Sequence, residues 1–434
     1  MQNPLKKPII FIPGLMGSMG NDIIDGTGDW SFGMARWVYE PLISQLEESG
    51  YRINEDLFIC YYDWRQKNHY IVDTYLKPML DRVKEKFPDN KVDFICHSMG
   101  GIVARTYIQG RNYQDDVDKL IMIATPNKGS VDAYYLWSTG RLKPKRGGNH
   151  FYNLIVRGYL WILLKLMDVS FGTEGLEEIQ ETFPSIGELI PSLDYGPILC
   201  YEDGNGSWRT VPLYYMRYKN YLLDHLNETL HLLPYKVNYT CCIIGHNFST
   251  SEYIMIDKER LFNGYEEIIL DVVETLEGDG TVTVKSGELE GFHDQYLEFN
   301  HRDIVKHAYS CIEEIYGLET KDKQQDEGGV EETTLHILLT GSANIVVIQE
   351  GQRIMELQNQ QLTTLYPHLH EKYPNNHQWI LLKDVPKGSY QMKLHNEEGK
   401  KIHMTVMAKD LKKLQEEMEI KAHQQNYTIK FEIT

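Results

Sequence analysis

Positive charge is what this sequence is short of. Its 434 residues carry 44 lysines and arginines against 62 acids, a formal net charge of -18. With no basic excess to neutralise phosphates, a nucleic-acid partner is not expected. Docking on anionic lipid would need a local patch. Long hydrophobic runs are also missing. No stretch approaches the roughly 18 apolar residues of a transmembrane helix, so none is expected. Cysteine is sparse: Cys60, Cys96, Cys200, Cys241, Cys242 and Cys311 form no CxxC pair, and several sit in apolar runs. They read as free, buried thiols rather than a disulfide framework. The opening "MQNPLKKPIIFIPGL" has two lysines, but its apolar run is cut at Pro13 and lacks a small-residue cleavage site, so it does not read as an export signal. The Asn-x-Ser/Thr sequons at Asn227 and Asn238 are then chance matches. The expectation is a cytoplasmic protein, with peripheral contact at a membrane as an option.

What is present is a globular composition, 42% apolar and 24% charged. Short apolar runs, "PIIFI" (8–12), "LFICYY" (57–62), "VDFIC" (92–96), "KLIMIA" (119–124), "TCCIIG" (240–245) and "DVVETL" (271–276), read as buried strands. Helix-like segments at 37–48, 70–87 and 99–110 lie between them. Strands alternating with helices imply an α/β fold with a parallel sheet and right-handed crossovers. The polar stretch "ETKDKQQDEGGVEE" (319–332) reads as a linker. Beyond it, period-two segments with turn residues indicate a small β-rich domain over 333–434. "KDLKKLQEEMEIKAHQQ" stands out there as a helix candidate. The expected division is a domain at 1–318, with an insertion at about 131–235, a linker and the β-rich domain.

Chemistry points to "DFICHSMGGIVAR" (93–105). A strand, then x-x-Ser-x-Gly, then a helix is the pattern of a nucleophile elbow. The sharp turn lifts the Ser98 hydroxyl above the sheet, and the helix N-terminus aims backbone N–H groups where an oxyanion would form. Cys96 stands where such elbows carry a first glycine. An ordinary turn containing a serine is the competing reading. A serine needs a base and an orienting acid, here expected later in the order Ser, acid, His. Asp279, in the Gly-Asp-Gly turn after 271–276, supplies the acid; Asp271 and Asp294 are alternatives. His301 immediately precedes a helix-like run (Ile304, Val305, Ala308, Ile312, Ile315) and is favoured as the base over His293 and His307. "FIPGLMGS" (11–18) ends a strand in a Gly-rich loop. The Leu15 N–H, with that of Met99, would make a two-donor oxyanion hole.

"PGLMGS", "YYDWR" (61–65), "CHSMGG" (96–101), "TPNKGS" (125–130), "FPSIGELIPS" (183–192), "GDGTV" (278–282) and His301 occur in one order. Over residues 8 to 317 this resembles the lecithin:cholesterol acyltransferase-like branch of the α/β-hydrolase lipases. The resemblance implies an α/β-hydrolase fold with a lid, Ser98 as nucleophile, Asp279 as acid, His301 as base, and Leu15 and Met99 as oxyanion donors. It implies a serine esterase or lipase acting on lipid acyl esters, with water or an alcohol as acyl acceptor. The family's secreted members carry disulfides and an export signal. Neither is evident here, which points to a bacterial or other intracellular relative. A catalytically inactive fold that binds a ligand through its β domain is the alternative.

"FYNLIVRGYLWILLKLMDVSFG" (151–172) is mostly apolar but broken by Arg157, Lys165 and Asp168. It reads either as a core helix or as a lid over an acyl pocket, with Tyr159, Trp161, Ile162 and Leu166 as candidate substrate contacts. "YPHLH" (366–370) with His377 is not read as a metal site, since His-x-His is common and no cysteine lies near. No cofactor or metal is called for.

Overall fold

The computed structural model describes residues 7–141, 143, 175–262, 269–317, 333–396, 402–408, 411–412, 417–420 and 426–433. These fall into two compact units. The first holds most described residues up to Gly317; the second holds those from Thr333 onward together with residues 24–29.

The first unit is an α/β fold built on a parallel sheet flanked by helices. Its six strands are β1 (Ile9–Ile12), β2 (Leu57–Ile59), β3 (Val92–His97), β4 (Val117–Ile123), β7 (Tyr239–Gly245) and β10 (His293–Leu297). They lie in the order β10-β7-β4-β3-β1-β2, every neighbouring pair parallel. Ile9 to Ile12 and Phe94 to Cys96 are wholly buried, as continuous apolar strands covered on both faces should be. Helix α1 (Arg36–Glu48) packs Tyr39, Leu42, Ile43 and Leu46 against one face, with Ile304, Val305, Ala308 and Ile312 beside them. Helix α2 (Asn68–Ile71) passes through a π turn, Val72–Leu76, into α3 (Lys77–Lys86), and α4 (Met99–Gln109) is buried along its whole length. Arg105, fully buried inside that helix, donates to Gln109, Asn127, the Leu226 carbonyl and Asn227. A buried guanidinium must be paired in this way, because bare desolvation would be costly.

One expected strand of the parallel sheet lies elsewhere. Residues 271–276 do not extend the parallel sheet. They belong to β9 (Ile269–Thr275), which pairs antiparallel with β8 (Thr250–Ile256) in a separate sheet ordered β6-β5-β8-β9, where β5 is Leu199–Glu202 and β6 is Trp208–Thr210. Half-burial accompanies it: only Val272 of β9 is buried and Leu270 is exposed, unlike a parallel strand covered on both faces. The last parallel strand is instead His293–Leu297, a polar edge segment.

The second unit is a β-sandwich. A five-stranded and a six-stranded sheet close over Leu335, Ile337, Leu339, Ile345, Val347, Ile380, Met392 and Phe431. The helix expected at 409–425 is not found in the described part of that stretch. Leu411–Lys412 and Glu417–Ile420 are strands paired to the two sheets. Backbone pairing to a neighbouring strand overrides the helical propensity of the Lys- and Glu-rich sequence. All six cysteines are free and buried. Among the described residues, no helix is long and apolar enough to cross a membrane.

Candidate active site

Ser98 sits between β3 and α4 with φ 52° and ψ -124°, a conformation that L-residues adopt only under constraint. The constraint is visible. The Ser98 N–H donates to the Ile123 carbonyl at 2.9 Å, and the two following glycines let the helix pass against its neighbours. A Cβ on Gly100 would lie 2.2 Å from the Ile12 carbonyl oxygen, and one on Gly101 would lie 2.1 Å from Thr125 Oγ1. Met99 is the first residue of α4, so its N–H has no intrahelical acceptor.

His301 comes from the turn between β10 and the helical turn Ile304–His307. Asn300 sets that turn, its Oδ1 accepting the N–H groups of Arg302 (3.1 Å) and Asp303 (3.0 Å). His301 Nε2 lies 2.9 Å from Ser98 Oγ, and Nδ1 lies 2.8 Å from Asp279 Oδ2. Asp279 can only accept, so Nδ1–H donates to it, leaving Nε2 to accept from the serine hydroxyl. Asp279 is itself fixed. Its Oδ1 accepts the N–H groups of Thr281 (2.9 Å) and Val282 (2.7 Å), and its carbonyl accepts the His301 N–H at 2.8 Å. Gly245, ending β7, leaves the room this needs: a Cβ there would stand 2.6 Å from Asp279 Cβ. The carboxylate thus arrives from the turn after β9 of the separate sheet, not from the end of a parallel strand.

Ser98, Asp279 and His301 are brought into one hydrogen-bonded line, all but closed to solvent. A line of this kind can move the serine proton to the imidazole as the oxygen attacks. The other acids and histidines lie elsewhere. Asp294 faces Cys242 across the sheet and Asp271 is in β9. His293 stacks on Tyr239 and His307 on Phe299. Leu15 lies in a loop pinned on both sides. The Tyr62 hydroxyl donates to the Pro13 carbonyl at 2.5 Å, the Gly14 N–H donates to the Tyr39 oxygen at 2.9 Å, and Trp64 Nε1–H donates to the Ser18 carbonyl at 3.0 Å. Trp64 stacks on Phe183, and the Arg65 carbonyl accepts the Ser185 N–H. The motifs that recur in order along the chain thus pack on one another. Tyr159, Trp161, Ile162 and Leu166 lie outside the described residues. Among those described, no cluster of His, Cys, Asp or Glu is arranged to hold a metal ion. Tyr39 and Asn300 belong to no motif, and His97, though inside "CHSMGG", has no role that its position in the motif reveals.

Residues 29–144 match the family described as lecithin:cholesterol acyltransferase. Over that stretch the chain is similar to this family. The match takes in the loop after β1 only from Asp29, and the whole of β3 and α4. Two relatives agree with it. The chain is 33% identical over 95 residues to phospholipase A(1) LCAT3 of Arabidopsis thaliana, covering 21% of each protein. It is 27% identical over 135 residues to the GPI inositol-deacylase of Rattus norvegicus, covering 29% of this chain and 13% of that one. The chain thus spans well under two thirds of both relatives. Among solved structures it is similar to the propeptide form of Bacillus licheniformis lipase BlEst2 (TM-score 0.38, 12% identity, covering 99% of this chain and 96% of that). It is also similar to phospholipase PlaB from Legionella pneumophila (TM-score 0.37, 10% identity, 95% and 91%).

Proposed function

We propose that this chain is a serine hydrolase that cleaves acyl esters of lipids through an acyl-enzyme. The observation that carries the reading is the line from Ser98 Oγ to His301 Nε2 (2.9 Å) to Asp279 (2.8 Å), set at a strained strand-to-helix turn. His301 takes the proton as Ser98 attacks the ester carbonyl, and Asp279 holds the resulting imidazolium. The N–H groups of Met99 and Leu15 stabilise the oxyanion. His301 then protonates the departing alcohol, and water or a second alcohol releases the acyl group by the reverse steps. Lipid as substrate is supported by two named relatives, a phospholipase A(1) and a GPI inositol-deacylase, and by the apolar stretch 151–172, which we take as a lid. The cytoplasmic reading is supported by six unpaired thiols, which persist in a reducing compartment.

The test is labelling by a fluorophosphonate probe together with turnover of a short soluble ester. Wild type should label at Ser98 and Ser98→Ala should do neither, with its fold intact. His301→Ala should lose nearly as much, because nucleophile and base act as a unit. Wild-type turnover in His301→Ala, with loss in His293→Ala, would transfer the base role to His293.

A further inference from the structure

The residue before the nucleophile is a histidine that the mechanism above does not use. His97 is buried at the end of β3, and its ring lies 4.9 Å from that of His301 and 5.6 Å from that of Tyr39. Its Nε2 is 2.9 Å from the His301 carbonyl oxygen, and its Nδ1 is 3.0 Å from the Tyr39 hydroxyl. The Tyr39 oxygen in turn meets the Gly14 N–H at 2.9 Å.

The chemistry of each atom fixes the direction of every bond. A carbonyl oxygen only accepts, so His97 Nε2 carries a proton and donates it. Burial, and after it the neighbouring His301, hold the His97 pKa well below that of an ordinary histidine, so the ring is neutral. Nδ1 is then an acceptor and takes the Tyr39 hydroxyl proton. The Tyr39 oxygen, having donated, accepts from Gly14. The result is one directed chain: Gly14 N–H to Tyr39, Tyr39 O–H to His97, His97 N–H to the His301 carbonyl. Its two ends are the loop that carries the Leu15 N–H and the peptide that carries the base. Its middle is bonded covalently to Ser98. Space confirms how tightly these parts meet, since a Cβ on Gly14 would stand 2.9 Å from Ser98 Cβ and 3.2 Å from His97 Nδ1.

We infer that His97 and Tyr39 are positioning residues that lock the base and the oxyanion loop to the nucleophile as one unit. The inference rests on the serine-hydrolase reading. Neither residue touches the reacting atoms. Their effect is on where His301 and the Leu15 N–H stand, which a substrate-binding constant would not register.

The experiment compares His97→Leu, His97→Gln, Tyr39→Phe and the double variant His97→Leu/Tyr39→Phe in the full chain. Turnover of a p-nitrophenyl ester is normalised to the fraction of protein that reacts with a fluorophosphonate, and melting temperature is recorded alongside. His97→Leu and Tyr39→Phe should lower kcat per reactive site by roughly 10–100-fold with KM almost unchanged, because displacements near 1 Å carry costs of that order. His97→Gln should recover much of the loss, since its amide can still donate to the His301 carbonyl. The double variant should cost no more than the worse single one, as befits a connected chain. A purely structural role predicts otherwise: lower melting temperatures with unchanged kcat per reactive site, or equal behaviour of Gln and Leu. Either result overturns the inference, as do losses that multiply in the double variant. If wild type itself fails to react at Ser98, the hydrolase reading and the relay fall together. If it reacts and the variants match it, only the relay falls.

Discussion

Adding one methyl group at Gly100 is the sharpest probe of how this site is held. The new Cβ would stand 2.2 Å from the Ile12 carbonyl oxygen, 2.6 Å from that of Pro13 and 2.9 Å from the Ile12 carbonyl carbon. All three are backbone atoms, so no rotamer change relieves the clash. Reaching even 3.0 Å from the nearest requires a shift of 0.8 Å between α4 and the end of β1 (3.0 less 2.2). Alanine would gain about 1 kcal/mol of helix propensity over glycine. Overpacking of about 1–3 kcal/mol opposes that gain, and backbone contacts belong at the upper end. The net expectation is a loss of about 1–2 kcal/mol in stability. Activity should suffer more. The atoms pushed apart carry the Ser98 elbow on one side and the Pro13–Gly14 peptide, just before Leu15, on the other. A displacement near 1 Å between reacting groups costs on the order of 10²-fold. Thermal melts and kcat on a soluble ester, normalised to fluorophosphonate labelling, read the two effects separately. Gly204→Ala is the control: nothing lies within 4 Å of its Cβ and its backbone is not left-handed, so it should be neutral. Gly100→Ala with wild-type melting and kcat would refute the close-approach argument.

Three further outcomes are expected. A chain ending at Leu318 should fold and keep its turnover of a soluble ester, checked by circular dichroism and kinetics, because the first unit has its own core. Melting temperature should fall as pH drops below the ordinary histidine value of 6.5. The folded His97 pKa is depressed, so the unfolded chain binds the extra proton, and stability rises with pH across that window; His97→Gln should flatten this part of the profile relative to wild type. Trp161→Asp should spare hydrolysis of a short soluble ester while sharply reducing attack on vesicles, measured as the ratio of the two rates. Equal loss on both, with a lowered melting temperature, would make 151–167 a plain core helix.

Much of the first unit was legible because its signals are local. A buried apolar run meeting Ser-x-Gly-Gly reads as a strand turning tightly into a helix, and His301 is marked by the apolar helical spacing that follows. The strands missed or misplaced are those whose pairing is decided by distant partners. Val272 and Val273 look like core strand residues, yet their neighbours on β8 put them in the antiparallel sheet. His293–Leu297 looks like loop because an edge strand needs few apolar residues, and only β7 gives it a register. Asp279 was legible as a turn acid, but the route by which it reaches His301 was not. That route depends on the small volume of Gly245, some 34 residues earlier. The links among His97, Tyr39 and Gly14 are bonds across three elements and leave no pattern along the chain.

The buried thiols have a practical consequence for chemistry at this surface. Burial pushes Cys60 and Cys241 up to about 12 and Cys200 up to about 11, and holds Cys96 well above the ordinary thiol value. At neutral pH almost no nucleophilic thiolate is then present in the folded protein. Maleimides and oxidants should find nothing to react with until the chain unfolds. A cysteine placed at an open surface position such as Gly204 would therefore be the single reactive handle on a native background. Fluorophores, spin labels or a tether could be attached there without first removing any of the six cysteines the protein already has.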